Sequence, residues 1–169
     1  IMYEDIEFKN AINMRKANYD KFPSTKLTGM LVQGWDSIIS MLKKKMDARK
    51  VLAVDLYTGV YEEEVLDAFS KEFSGRVMNV RDLMKPEKEI QTLTERFMTE
   101  DVLFGYVTNL KLEDYLDADK VAAARKQISE AKETIVIIGT GAAVVAPQDA
   151  MVVYADMALS LIHISEPTR

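Results

Sequence analysis

The chain of 169 residues contains no cysteine. Disulfides and thiolate metal sites are thereby excluded, and a reducing compartment is allowed. Histidine occurs once, at His163, and proline only four times. No apolar run approaches the roughly 20 residues needed to span a bilayer. The opening IMYEDIEFKN lacks the basic-then-apolar order of a signal peptide, so a cytoplasmic location is expected. A basic surplus is missing too. The net charge of −5 argues against nucleic acid or an anionic membrane as the main partner. What is present is an ordinary globular mixture, 48% apolar and 29% charged. Its length suits one domain with a substantial core.

Both ends of the chain are unusual. The last eleven residues, LSLIHISEPTR, resemble the in-frame translation of a transposase-type sequencing adapter, and such scars are set aside in fold reasoning. On that reading residues 159–169 are an artefactual tail and the natural chain is cut at about Ala158. His163 then falls in the tail, leaving 158 residues without histidine or cysteine. Metal ligands would be carboxylate, amide or hydroxyl oxygens, which suit Mg²⁺ or Ca²⁺ better than Zn²⁺. A histidine general base would be absent. Residue 1 is isoleucine, so Met14 is a plausible start and residues 1–13 need not be native. Residues 1–33 are read as an irregular arm ahead of an α/β domain over 34–158.

Within that domain Trp35, Ile38, Ile39, Leu42 and Met46 recur at helical spacing and predict a helix over 34–48. Lys43, Lys44 and Lys45 near its end complement the helix dipole. Val51 to Tyr57 reads as a buried strand. A helix over 61–73 follows, with Val65, Leu66, Phe69 and Phe73 on one face. GRVMNVRDL (75–83) predicts a second strand. Pro86 opens a helix with Ile90, Leu93 and Phe97 as its buried stripe. Residues 99–116 are ambiguous. Asp117 or Asp119 caps a helix running to about 132 that buries Val121, Ala124, Ile128 and Ala131. TIVIIG (134–139) and AMVVYADM (150–157) are the third and fourth strands, with GTGAAVVAPQD between them as a loop. Strands alternating with helices mean an α/β fold, a mainly parallel sheet in three layers. Its ligand would bind at the carboxyl ends of the strands.

The stretch VLAVDLYTGVYEEEV (51–65) stands where a phosphate-binding loop would. A working loop, G-x-x-x-x-G-K-[ST], supplies converging backbone N–H groups, a lysine and a hydroxyl for Mg²⁺. Here Thr58 and Gly59 remain, but Val60-Tyr61 and then Glu62, Glu63 and Glu64 replace the lysine and hydroxyl. Three carboxylates suit the helix dipole and repel an incoming anion. GTG at Gly139 and Gly141 is the second glycine site, read as a tight loop between strands with no helix clearly opening after it. Asp55 and Asp156 end two strands. They either share a Mg²⁺ or act as a carboxylate pair, or, in the plainer reading, each caps a neighbouring turn or helix. The positional cofactor-binding candidates are therefore Asp55, Thr58, Gly59, Gly139, Gly141 and Asp156. No residue is assigned to catalysis or to a metal.

The order strand–turn–helix at 51–73, with TIVIIGTGAAVVAPQDAMVVYADM at 134–157, resembles the fold of uridine-kinase-type P-loop proteins, less the lysine and hydroxyl of their phosphate loop. NYDKFPSTKLTG (18–29), AVDLYTGVYEEEVL (53–66), ERFMTEDVLFGYVTNLKLEDYLD (95–117) and VVYADMA (152–158) resemble the N-terminal region of long bacterial class I mannose-6-phosphate isomerases. That resemblance covers about 14–158. It implies a kinase-like α/β domain, incomplete at its C-terminus, ahead of a zinc cupin domain. The parent would interconvert mannose 6-phosphate and fructose 6-phosphate. The zinc ligands and catalytic residues lie in the cupin region, and none falls in this chain. No cofactor is implied for this fragment. Its implied role is structural or regulatory, docking on the cupin domain or sensing a phosphorylated metabolite. The alternative is an active nucleoside or sugar kinase with an atypical loop, its cation supplied by Arg81 or Lys85.

Overall fold

A computed structural model describes residues 29, 31–46, 50–101 and 104–157. The expectations on residues 1–28, Met14 among them, and on the tail with His163 lie outside these. The chain divides into two compact units, residues 1–31 and 32–169, and the second holds the architecture that follows.

The elements run α1 (Trp35–Met46), β1 (Val51–Leu56), α2 (Glu62–Glu72), β2 (Arg76–Asn79), α3 (Glu87–Glu95), α4 (Ala118–Glu130), β3 (Ile135–Gly139), α5 (Ala142–Val145) and β4 (Met151–Ala155). The four strands form one parallel sheet in the order β2-β3-β1-β4. The expected α/β class is the observed one.

Both central strands are buried on both faces, which is why they read as unbroken apolar runs. Val51, Ala53, Ile135 and Ile137 point to one layer, where they meet Val121, Ala124 and Ile128 of α4 and Ala142 and Val145 of α5. Leu52, Val54, Leu56, Val136 and Ile138 point to the other layer. They meet Ile39, Leu42 and Met46 of α1 and Val65 and Phe69 of α2. Phe69 is the largest fully buried side chain. It stacks on Phe73 at 5.5 Å and meets the edge of Trp35 at 6.3 Å.

One local expectation holds in detail. Asp117 caps α4, its Oδ1 accepting from the Asp119 and Lys120 N–H groups. Lys43 donates to the Glu72 carbonyl, pairs with the Glu72 carboxylate at 3.7 Å and lies over the Phe73 ring. It therefore ties α1 to the end of α2. Two expectations are corrected. The second strand stops at Asn79, and Val80–Leu83 form a 3₁₀ turn. There the Asn79 side chain accepts from the Arg81 N–H and bends the chain out of the ladder. Helix α3 begins just after Pro86, but its stripe is not buried. Ile90, Leu93 and Phe97 are only half-covered, and α3 has no buried residue. The described residues of the ambiguous 99–116 stretch are irregular apart from a 3₁₀ turn at Leu112–Tyr115 and a single bridge from Leu116 to Met84.

Two outcomes follow from this packing. Phe69→Ala should lower stability by about 3–5 kcal/mol in urea unfolding. In native-state amide exchange, α3 should open well before α4, since few buried contacts hold it.

Candidate functional site

The carboxyl ends of β1 and β3 lie side by side, with Asp55 in register with Gly139. From β1 the chain crosses the α1/α2 layer to β2 at one edge. From β3 it leaves through α5 on the opposite layer and reaches β4 on the far side of β1. Adjacent strands whose connections depart in opposite directions make the crevice where open α/β sheets bind ligands.

Asp55 fills that crevice. Its Oδ1 accepts from the Gly141 N–H and its Oδ2 from the Ala143 N–H, both at 3.0 Å. Beside it the Thr140 hydroxyl donates to the Leu56 carbonyl at 3.0 Å. The loop reading of GTGAAVV is thus corrected, because Ala142–Val145 form a short helix with Gly141 as its N-cap. That helix has no cap of its own in sequence. The carboxylate from β1 takes two of the donors that a helix start leaves free. Two glycines make the approach possible. Gly141 has φ +85°, in the left-handed region. At Gly139, φ +136°, a Cβ would sit 2.8 Å from the Val80 Cβ.

In the first βα turn Val60 N–H closes on the Tyr57 carbonyl, and Tyr57 N–H extends the ladder to Ala155. Gly59, φ +97°, supplies the turn's left-handed residue, and Thr58 is exposed beside it. Helix α2 starts at Glu62 without a side-chain cap from Tyr61. Two of its three first-turn acids are engaged elsewhere. Glu62 accepts from Asn79 Nδ2 at 2.7 Å and from Arg81 Nη2 at 3.1 Å, and Glu64 accepts from the Trp35 indole at 2.8 Å. The two candidate cations are accounted for as well. Arg81 pairs with Glu62, and Lys85 donates to the Asp114 carbonyl at 2.6 Å. A cavity of about 340 Å³ lies between this clasp and the strand ends, lined by Glu62, Arg81, Leu112, Tyr115, Gly139 and Thr140.

The structure therefore brings Asp55, Gly139 and Gly141 together, places Thr58 and Gly59 in the neighbouring turn, and sets Asp156 just past the end of β4, beside β1. One Asp156 oxygen accepts from the N–H of Met157. The Tyr154 hydroxyl is pushed above the ordinary phenol value, first by desolvation and then by Asp156, Tyr57 and Asp55. Among the described residues, no group of three or more acidic, histidine or cysteine side chains is arranged to hold a metal. Sequence reasoning missed Asn79 and Thr140. The signal for Asn79 was present, an asparagine ending an apolar run just before VRDL.

The family model of a domain of unknown function, DUF8485, matches residues 34–165, and the chain belongs to that family. The match includes residues 159–165, which overlap the adapter-like string. Comparison with curated proteins and with solved structures finds no match.

Asp55→Asn keeps one acceptor and turns an amide donor toward the second N–H. It should cost about 1–3 kcal/mol in chemical unfolding, while Thr140→Val should cost about 1 kcal/mol.

Proposed function

We propose that this DUF8485 domain is non-catalytic, with a structural or regulatory role in a mannose-6-phosphate isomerase-like protein. The observation that carries the non-catalytic half is that the domain's own carboxylates engage the N–H groups after β3 and the arginine beside the first turn, while no lysine enters that turn. Asp55 takes the N–H groups of Gly141 and Ala143, and Glu62 takes Arg81. An entering phosphate would have to displace one negative charge and approach Glu63 and Glu64, with no loop lysine to offset them. The isomerase half rests on the four resembling stretches, and a parallel α/β sheet is compatible with the kinase-like domain they imply. In this reading the partner is the parent's zinc cupin domain, which keeps the zinc. The regulatory ligand, where there is one, is a phosphorylated metabolite. The domain works in the cytoplasm, away from nucleic acid and membrane. The charge of −5 disfavours a polyanionic partner, and among the described residues no helix is long and apolar enough to cross a bilayer.

Isothermal titration with ATP–Mg²⁺, with phosphoryl transfer to nucleosides and sugars assayed in parallel, tests the reading. The expected result is no ATP binding tighter than about 1 mM and no transfer. Micromolar binding with turnover would replace the proposal with a small-molecule kinase using an atypical loop.

A further inference from the structure

Strand β4 is an edge strand, paired with β1 on one side only among the described residues. Its two faces differ. Met151, Val153 and Ala155 pack against the α1/α2 layer. Val152 and Tyr154, in register with Ala53 and Asp55, point toward the α4/α5 side, which does not extend over them. They are 54% and 61% exposed, and Tyr57, itself 47% exposed, sets its ring against Tyr154 at 6.4 Å.

Free edges in soluble proteins are normally guarded by charge, proline, a bulge or short length. The opposite edge follows that rule: β2 has four residues, opens on exposed Arg76 and bends into a 3₁₀ turn. The MVVYA of β4 carries no such guard. Its charges stand at the two ends instead, and both are acidic. Asp149 precedes the strand on the wall of a cavity it shares with Lys45, Lys50 and Arg125, Asp156 follows it, and neither forms an ion pair among the described residues.

We infer that the free edge of β4 is a strand-addition site for an extended protein segment with alternating apolar residues and basic ends. Main-chain groups of β4 supply the ladder. Val152 and Tyr154 supply the apolar face, and Asp149 and Asp156 pair with the flanking cations. The same charges disfavour a second copy of this chain. An antiparallel self-pairing centred on Val153 sets 150 opposite 156 and 149 opposite 157. Each Asp149 then lies beside the other copy's Asp156, and like charges so placed oppose the ladder. A parallel self-pairing sets the two copies' Asp149 near each other at one end and their Asp156 near each other at the other, and is opposed in the same way.

The test uses the full chain and two fluorescein-labelled peptides with the same Val-Thr-Val-Thr-Val centre, one with lysine at both ends and one with glutamate. Fluorescence anisotropy at low salt should show the lysine-ended peptide binding about tenfold tighter. That peptide should also slow amide exchange across 151–155. Because both acids are exposed, Asp149→Lys/Asp156→Lys should leave the unfolding midpoint nearly unchanged and reverse the preference. Equal binding of the two peptides, or binding of neither, overturns the inference. So does protection of 151–155 before any peptide is added, whether from another part of the chain or from a dimer seen in sedimentation.

Discussion

The carboxylate of Asp55 holds β1 to the turn after β3 through two backbone N–H groups, and the arrangement of the strand ends depends on that clasp. A carboxylate suits the task because both donors belong to a helix start, where positive backbone charge is concentrated. Charge-assisted bonds of this kind are stronger than neutral ones. Around the clasp the Thr140 hydroxyl closes on β1, Gly139 admits Val80, and Gly141 supplies the left-handed turn. A second carboxylate, Glu62, links the start of α2 to the end of β2 through Asn79 and Arg81. The salt-bridge part of that link is worth little, since Arg81 is largely solvated. Its effect is to occupy the cation nearest the first turn.

This turns the usual chemistry of an α/β switch point around. Such a crevice normally offers N–H groups, a helix terminus and a lysine to an anion from outside. In this chain the domain's own acids meet the N–H groups and the arginine. The topology that creates a ligand site is present, and the N–H groups after β3 and the Arg81 guanidinium beside it are taken up internally. What remains open includes the cavity beside Tyr115 at the strand ends, a larger cavity of about 900 Å³ lined by Lys45, Lys50, Arg125 and Asp149, and the outer edge of β4.

The sequence disclosed the sheet because its central strands are buried on both faces. VLAVDL and IVIIG can hardly be anything else once helical periodicity lies between them. It also disclosed the Asp117 cap, because the acceptor and its donors lie within three residues. The Asp55 clasp was only half legible. That Asp55 would cap something was readable, but not that its target was Gly141, 86 residues away. For the same reason helix α5 was hidden, since four apolar residues with a cap on another strand carry no local start signal. The second strand was overextended because VRDL continues the apolar texture, while the turn is made by the Asn79 side chain. The stripe of α3 was read as buried because periodicity reports amphipathicity, whereas its depth depends on whether another element covers it.

The most direct test of the central claim is to follow the Gly141 and Ala143 amide resonances while inorganic phosphate is raised to about 10 mM, beyond the weak-binding limit near 1 mM. The account predicts that neither resonance moves in the wild-type protein, because Asp55 already holds both N–H groups. A saturable shift of both amides would show that phosphate displaces the carboxylate, and would contradict it.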